Sequence, residues 1–162
     1  MYKRQAVVLL NTLILPAFSL AVMKLFGGLS DLRLQNQRQR MLPMGIVAVC
    51  YMLCILSFRQ MTVAFLVDRF LIAALCCVVI AFVVNLYWKI SLHMTAAGGL
   101  LGMMIVMNYT GLAQFRTVLI VLTVLTGALG SARLQLGSHS LAQVGAGAAA
   151  GVAVTAATVL LI

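Results

Sequence analysis

The segment from Ser131 to Gly151, SARLQLGSHSLAQVGAGAAAG, gathers most of the side chains in this chain that could do chemistry. Arg133 is followed six residues later by His139, four after that by Gln143, and then by glycines at the head of an apolar run. An arginine and an imidazole at the mouth of a membrane helix suit the gripping and attack of a phosphoryl group. The planar guanidinium donates paired hydrogen bonds and stays charged. A helix N-terminus offers unsatisfied N–H groups and a partial positive charge. Imidazole has a pKa near neutrality and serves as nucleophile or proton carrier. Gln143 falls one helical turn beyond His139 on the same face. Its carbonyl can accept the Nδ1–H of His139 and leave Nε2 to attack. An amide orients the ring as an aspartate would, but gives no charge to an imidazolium. In the serine-protease triad that exchange costs about 10⁴-fold in turnover.

The chain has a further histidine, His93, in the polar break Lys89–His93, KISLH, which also opens an apolar run. Each histidine lies beside a basic residue, Lys89 and Arg133, and both basic residues join the candidate phosphate-binding set. Arg33 and Arg40, seven apart in the polar stretch LSDLRLQNQRQRMLP, are the remaining candidate cations. Arg38, in the same stretch, is read as part of the ordinary charge bias of a membrane loop. Gly98 and Gly102 after the first histidine, and Gly147 and Gly151 after the other, have the GxxxG spacing that lets helices approach closely.

The elements that must position these groups follow from composition. Of 162 residues, 64% are hydrophobic and 8% are charged, more apolar surface than a soluble core of this size can hide. The runs do not alternate in polarity, so helices are expected rather than a barrel. The formal net charge is +9, with Asp31 and Asp68 the only acidic residues. No basic helix or aromatic platform accompanies that charge, so anionic lipid or phosphate is the expected partner and nucleic acid is not. Two carboxylates are too few for a carboxylate metal cage or a two-carboxylate mechanism. Cys50, Cys54, Cys76 and Cys77 all sit inside apolar runs and read as small buried hydrophobes.

The pattern predicts one all-α domain over residues 1–162, a membrane bundle of six transmembrane helices. The expected spans are about Gln5 to Leu25, Met44 to Phe58, Phe70 to Trp88, Met94 to Tyr109, Thr117 to Leu134 and His139 to Ile162. The basic N-terminus and its apolar run read as a retained first span, since the run is long and lacks a small-x-small cleavage site. MTVAFLV, residues 61–67, is expected as an interfacial turn or an extension of the third helix. Tyr87 and Trp88 would anchor the end of that helix at the interface. Two helices separate the arginine stretch from KISLH, and two more separate KISLH from SARLQLGSH. An even number of crossings returns the chain to the same side, so the three polar breaks are expected on one membrane face with both termini on the other.

Taken together, these breaks resemble the motifs of the type 2 phosphatidic acid phosphatase family, the membrane lipid phosphate phosphatases. That family carries K-x6-R-P, then P-S-G-H, then S-R-x5-H-x3-D. The K-x6-R-P motif resembles Arg33-x6-Arg40 here, with arginine for lysine and the proline displaced to Pro43. The P-S-G-H motif resembles Ile90-Ser91-Leu92-His93, which keeps serine and histidine but not proline and glycine. The last motif has the fullest match, Arg133-x5-His139-x3-Gln143, with glutamine for aspartate. The resemblance spans nearly the whole chain and points to a compact, divergent bacterial-type member. It implies a metal-independent phosphatase without a cofactor. His139 would form a phosphohistidine and His93 would protonate the leaving group. Arg33, Arg40, Arg133 and Ser91 would hold the phosphoryl oxygens. Dolichyl-diphosphatase relatives also carry glutamine at the last position.

The expected activity is hydrolysis of a lipid phosphate or polyprenyl diphosphate at a membrane. The alternative is a member of the same fold that binds lipid phosphate without hydrolysing it, as a carrier or partner subunit. A structural membrane subunit with no phosphate site is the third reading. Lys3, Arg4, Arg59, Arg69 and Arg116 fall on the terminal side. Once the site arginines are set aside, the positive-inside rule puts the termini in the cytoplasm. The site would then face the periplasm or outside of a bacterial inner membrane.

Overall fold

The computed structural model describes residues 9–15, 17–18, 21, 37–58, 65–112 and 116–161, without the side chains of Asn11, residues 37–40 and Phe65. Among these residues five α-helices follow one another: α1 Gln37–Phe58, α2 Phe65–Tyr87, α3 Leu92–Tyr109, α4 Arg116–Gln135 and α5 Leu141–Leu161. No strand occurs among the described residues. Of the first predicted span, the described part includes a π-helical turn, Leu10–Ile14, which packs against α1.

Most helix ends fall where polarity changes along the sequence. Two do not. The sequence predicts a helix from Met44, yet α1 begins at Gln37. Gln37 to Leu42 are all residues with good helix propensity, so the polar stretch winds on as helix despite its charge. Pro43 lies inside α1, where it cannot donate to the carbonyl one turn earlier. α2 starts at Phe65, so the later part of MTVAFLV extends the helix. This places Asp68 in the first turn, where a negative charge suits the helix dipole. Residues 59–64 lie outside the described residues.

Among the described residues, four helices are long and apolar enough to cross a membrane: α1 from Met41 to Phe58, α2 from Leu66 to Tyr87, α4 and α5. Their outward side chains include Val49, Met52, Leu53 and Leu56 on α1 and Ile120, Val121, Val124 and Leu125 on α4, all exposed. Exposed apolar surface on this scale requires an apolar surrounding. Helix α3 falls outside that set. His93, Asn108 and three glycines lower its hydropathy, and it packs against α2, α4 and α5.

Among the described residues the tightest helix pairing is α3 with α5, and the two run parallel. Ser91 meets Gln143 and Gly147, Thr95 meets Gly151, and Val106 and Met107 meet Val159. All four glycines singled out in the sequence lie on this seam. A β-carbon at Gly102 would stand 2.7 Å from the Val152 carbonyl oxygen, and one at Gly147 would stand 2.7 Å from that of Ser91. One at Gly98 or Gly151 would collide with the backbone of Ala148 or Thr95. At such approach distances a glycine is required, as in close membrane-helix pairs.

Two other clusters fix the remaining orientations. Met44, Ala81 and Ile90 pack together, joining the start of α1 to the end of α2 and the turn into α3. At the other end Phe58 packs with Cys54 and Leu71, joining the end of α1 to the start of α2. There Arg69 donates from Nη1 to the Val159 carbonyl at 2.7 Å, covering a carbonyl in the last turn of α5. Cys50, Cys54 and Cys77 are buried and Cys76 is half-buried, and all four are free thiols.

Candidate functional site

The parallel seam puts the N-termini of α3 and α5 side by side, so the two histidine-bearing breaks occupy one end of the bundle. The Ser91 N–H donates to the Gln143 carbonyl oxygen at 3.4 Å, tying the two starts directly. The end of α4 reaches the same place, since a β-carbon at Gly130 would lie 3.4 Å from Val144 and 3.5 Å from Met94. Arg133, half-buried in the last turn of α4, therefore belongs to this end, as does the first turn of α1 with Arg40.

A tight turn delivers His139. The N–H of Leu136 bonds to the Ala132 carbonyl and that of Gly137 to the Leu134 carbonyl, both at 3.0 Å, which closes α4. Gly137 has φ +60°, the left-handed conformation that glycine adopts after a helix end. Three residues later Ser140 caps α5, and its carbonyl accepts the first helical N–H, from Val144, at 3.0 Å.

His139 is buried at 8% exposure. Its Nδ1 lies 3.1 Å from Gln143 Oε1, the partnership that the four-residue spacing predicts. Gln143 does more than orient the ring. Its Oε1 also accepts the N–H of Ser140 at 3.2 Å, while its own N–H donates to Ser140 Oγ at 3.4 Å. These reciprocal bonds form a capping box, S-x-x-Q. Its signal is present in the sequence as Ser140-Leu141-Ala142-Gln143, hidden beneath the histidine–glutamine spacing that shares its last residue.

Ser91 is fully buried and holds the N-cap position of α3. A serine there ordinarily turns its hydroxyl onto an N–H of the first turn. Ser91 makes no such bond, and its Oγ has no hydrogen-bond partner among the described residues. Its carbonyl is occupied, accepting Thr95 N at 2.9 Å and Thr95 Oγ1 at 3.1 Å. A buried hydroxyl left unmatched costs roughly 1–3 kcal/mol, so the position fits a group that brings its own acceptor. His93 is exposed in the first turn of α3, and Lys89 is half-buried in the turn before it. Asn85, fully buried one helical turn before Lys89, is a further polar group that no motif in the sequence marks.

Among the predicted site residues, the bundle thus brings His139, Gln143, Ser91, His93, Lys89 and Arg133 to one end. Arg33 lies outside the described residues, as does the side chain of Arg40. Among the described residues, no group of three His, Cys, Asp or Glu side chains is placed to hold a metal ion.

A cleft of about 350 Å³ opens within the bundle among α1, α2 and α3, with Thr155 of α5 also lining it. Pro43, Met44, Ala81 and Leu92 line its site end, and Phe70 and Ala74 line its far end. Leu92 adjoins Ser91 in the chain, so the cleft opens at the same end of the bundle as that serine. The twelve residues of α2 from Phe70 to Ala81 span roughly 16 Å at the helical rise.

No family model, curated protein or solved structure matches this chain.

Proposed function

We propose that this chain is a membrane-embedded phosphatase of lipid phosphates or polyprenyl diphosphates, a six-span bundle acting through a phosphohistidine. The observation that carries the reading is the parallel α3–α5 seam. It sets two helix N-termini, the His139–Gln143 pair, the buried Ser91 hydroxyl and His93 at a single end. The motif resemblance to the type 2 phosphatidic acid phosphatases supports it independently.

In this mechanism the phosphoryl group sits before the paired helix starts. Arg133, Arg33, Arg40 and Lys89 balance the charge on its oxygens, and Ser91 donates a hydrogen bond. His139 attacks phosphorus through Nε2 while His93 gives its proton to the departing lipid oxygen. Water, relieved of a proton by His93, then cleaves the phosphorus–nitrogen bond and returns the enzyme. The cleft takes the hydrocarbon chain while the head group stays at the polar end. The site faces outward across a bacterial inner membrane, with the chain termini inside.

The test is phosphate release by purified protein from phosphatidic acid, phosphatidylglycerol phosphate and a polyprenyl diphosphate, with His139→Ala as control. Release that the substitution abolishes supports the enzyme. An alternative reading draws on the neutral Gln143, which gives no charge to an imidazolium: a fold member that holds lipid phosphate as a carrier or partner subunit. No release from any substrate, together with phosphate-analogue binding that Arg133→Ala weakens, would favour that reading. Binding indifferent to Arg133→Ala would leave only a structural role.

A further inference from the structure

We propose that Ser140 is a positioning residue whose backbone N–H, acting through Gln143, fixes the tautomer of His139. The helix cap and the aim of the nucleophile are then one hydrogen-bonded unit. The inference rests on the reading of His139 as nucleophile, but its central claim concerns the ring itself.

A backbone N–H can only donate. The Gln143 amide atom 3.2 Å from the Ser140 nitrogen is therefore the oxygen, since the NH₂ group would set two donors face to face. The same oxygen stands 3.1 Å from His139 Nδ1. An amide oxygen can only accept, so Nδ1 carries the proton and Nε2 holds the ring's lone pair. The bond from the Gln143 N–H to Ser140 Oγ closes the box and holds the glutamine backbone in register. Neither atom of Ser140 needs to touch substrate for this to work.

The unit is also uncharged. The other titratable groups at this end are Arg133 on α4, His93 and Lys89 around the start of α3, Arg38 and Arg40 in the first turn of α1, and Tyr87 at the end of α2. The one carboxylate among the described residues, Asp68, lies at the opposite end. A glutamate at position 143 would keep the cap and the ring bond and place a negative charge beside the imidazole. That charge favours imidazolium and raises the pKa of His139, so the attacking neutral form appears only at higher pH.

The deciding measurement is ¹⁵N NMR of histidine-labelled full-length protein in detergent micelles, at a pH where the rings are neutral, with His93→Gln used to assign the signals. The expected wild-type spectrum shows a protonated Nδ1 and a lone-pair Nε2 at His139. Ser140→Pro, which lacks the N–H, is expected to populate both tautomers. Gln143→Glu is expected to keep the Nδ1–H form and raise the titration midpoint of His139 by about one unit or more. A wild-type Nε2–H tautomer overturns the proposal, and so does a Ser140→Pro spectrum unchanged from wild type. If Ser140→Pro fails to fold, the wild-type tautomer and the Gln143→Glu midpoint still decide it. Turnover enters separately: the acid limb of kcat/KM should move up with the midpoint in Gln143→Glu. Protein without phosphatase activity that still shows the Nδ1–H ring would sink the proposed function and leave the lock standing.

Discussion

Ser91 gives the clearest separation of stability from function at the level of single residues. Its hydroxyl is fully buried and unmatched among the described residues, so it adds nothing to folding there. Ser91→Ala removes a desolvated group and should leave stability unchanged or raise it by about 1 kcal/mol, read by thermal unfolding in detergent. The same change should lower kcat/KM for a lipid phosphate roughly 10- to 100-fold, the worth of one hydrogen bond to a charged oxygen. A fall in stability with activity intact would assign the serine to structure. The His139–Gln143 pair was legible from spacing, because residues four apart share a helix face. The unspent hydroxyl of Ser91 was not, since only three-dimensional packing decides whether an N-cap serine bonds its own helix. The dual engagement of Gln143 was legible in principle, as a capping-box pattern overlaid on the histidine–glutamine spacing.

The decisive element is the α3–α5 seam, and glycine sets its separation. Gly98→Ala should cost about 1–3 kcal/mol, because the new carbon meets the Ala148 backbone, which cannot turn aside as a side chain can. Gly145→Ala on the outer face of α5, with nothing within 4 Å, should be neutral or slightly stabilising. Equal effects in thermal unfolding would remove the seam from its central place. Hydrophobic runs and GxxxG spacing revealed both helices and their small faces. The parity of crossings implied that the two run in the same direction, which the Ser91–Gln143 and Val106–Val159 contacts bear out. The early start of α1 was not legible, because charge suggested a loop where helix propensity prevailed. Pro43 likewise resembles a boundary in the sequence, yet it stands within the helix and lines the cleft.

For the molecule as a whole, the apolar cleft runs along α2 from the end of the bundle that carries the basic residues, and the proposed function assigns it to the lipid chain. Ala74 lines the cleft away from the site end. Ala74→Phe should raise KM several-fold for a long-chain lipid phosphate while leaving a short, water-soluble phosphoester unaffected. Steady-state kinetics on the two substrates reads the difference, and an equal change in both would detach the cleft from substrate binding. No sequence pattern announced this space, because a cavity arises from the packing of residues on four helices, from Pro43 on α1 to Thr155 on α5.

Helix α4 carries Arg133 at its last turn, yet Gly130 is its only buried residue among those described. A half-buried stripe of Leu119, Leu122, Thr126 and Leu129 makes its other inward positions, and most of its surface faces outward. A helix so lightly clamped follows the thickness of the surrounding lipid more readily than the glycine-locked pair beside it. Reconstitution into vesicles of graded acyl length should therefore change turnover through the arginine. The dependence should disappear in Arg133→Ala, whose residual rate no longer hinges on where that strut floats.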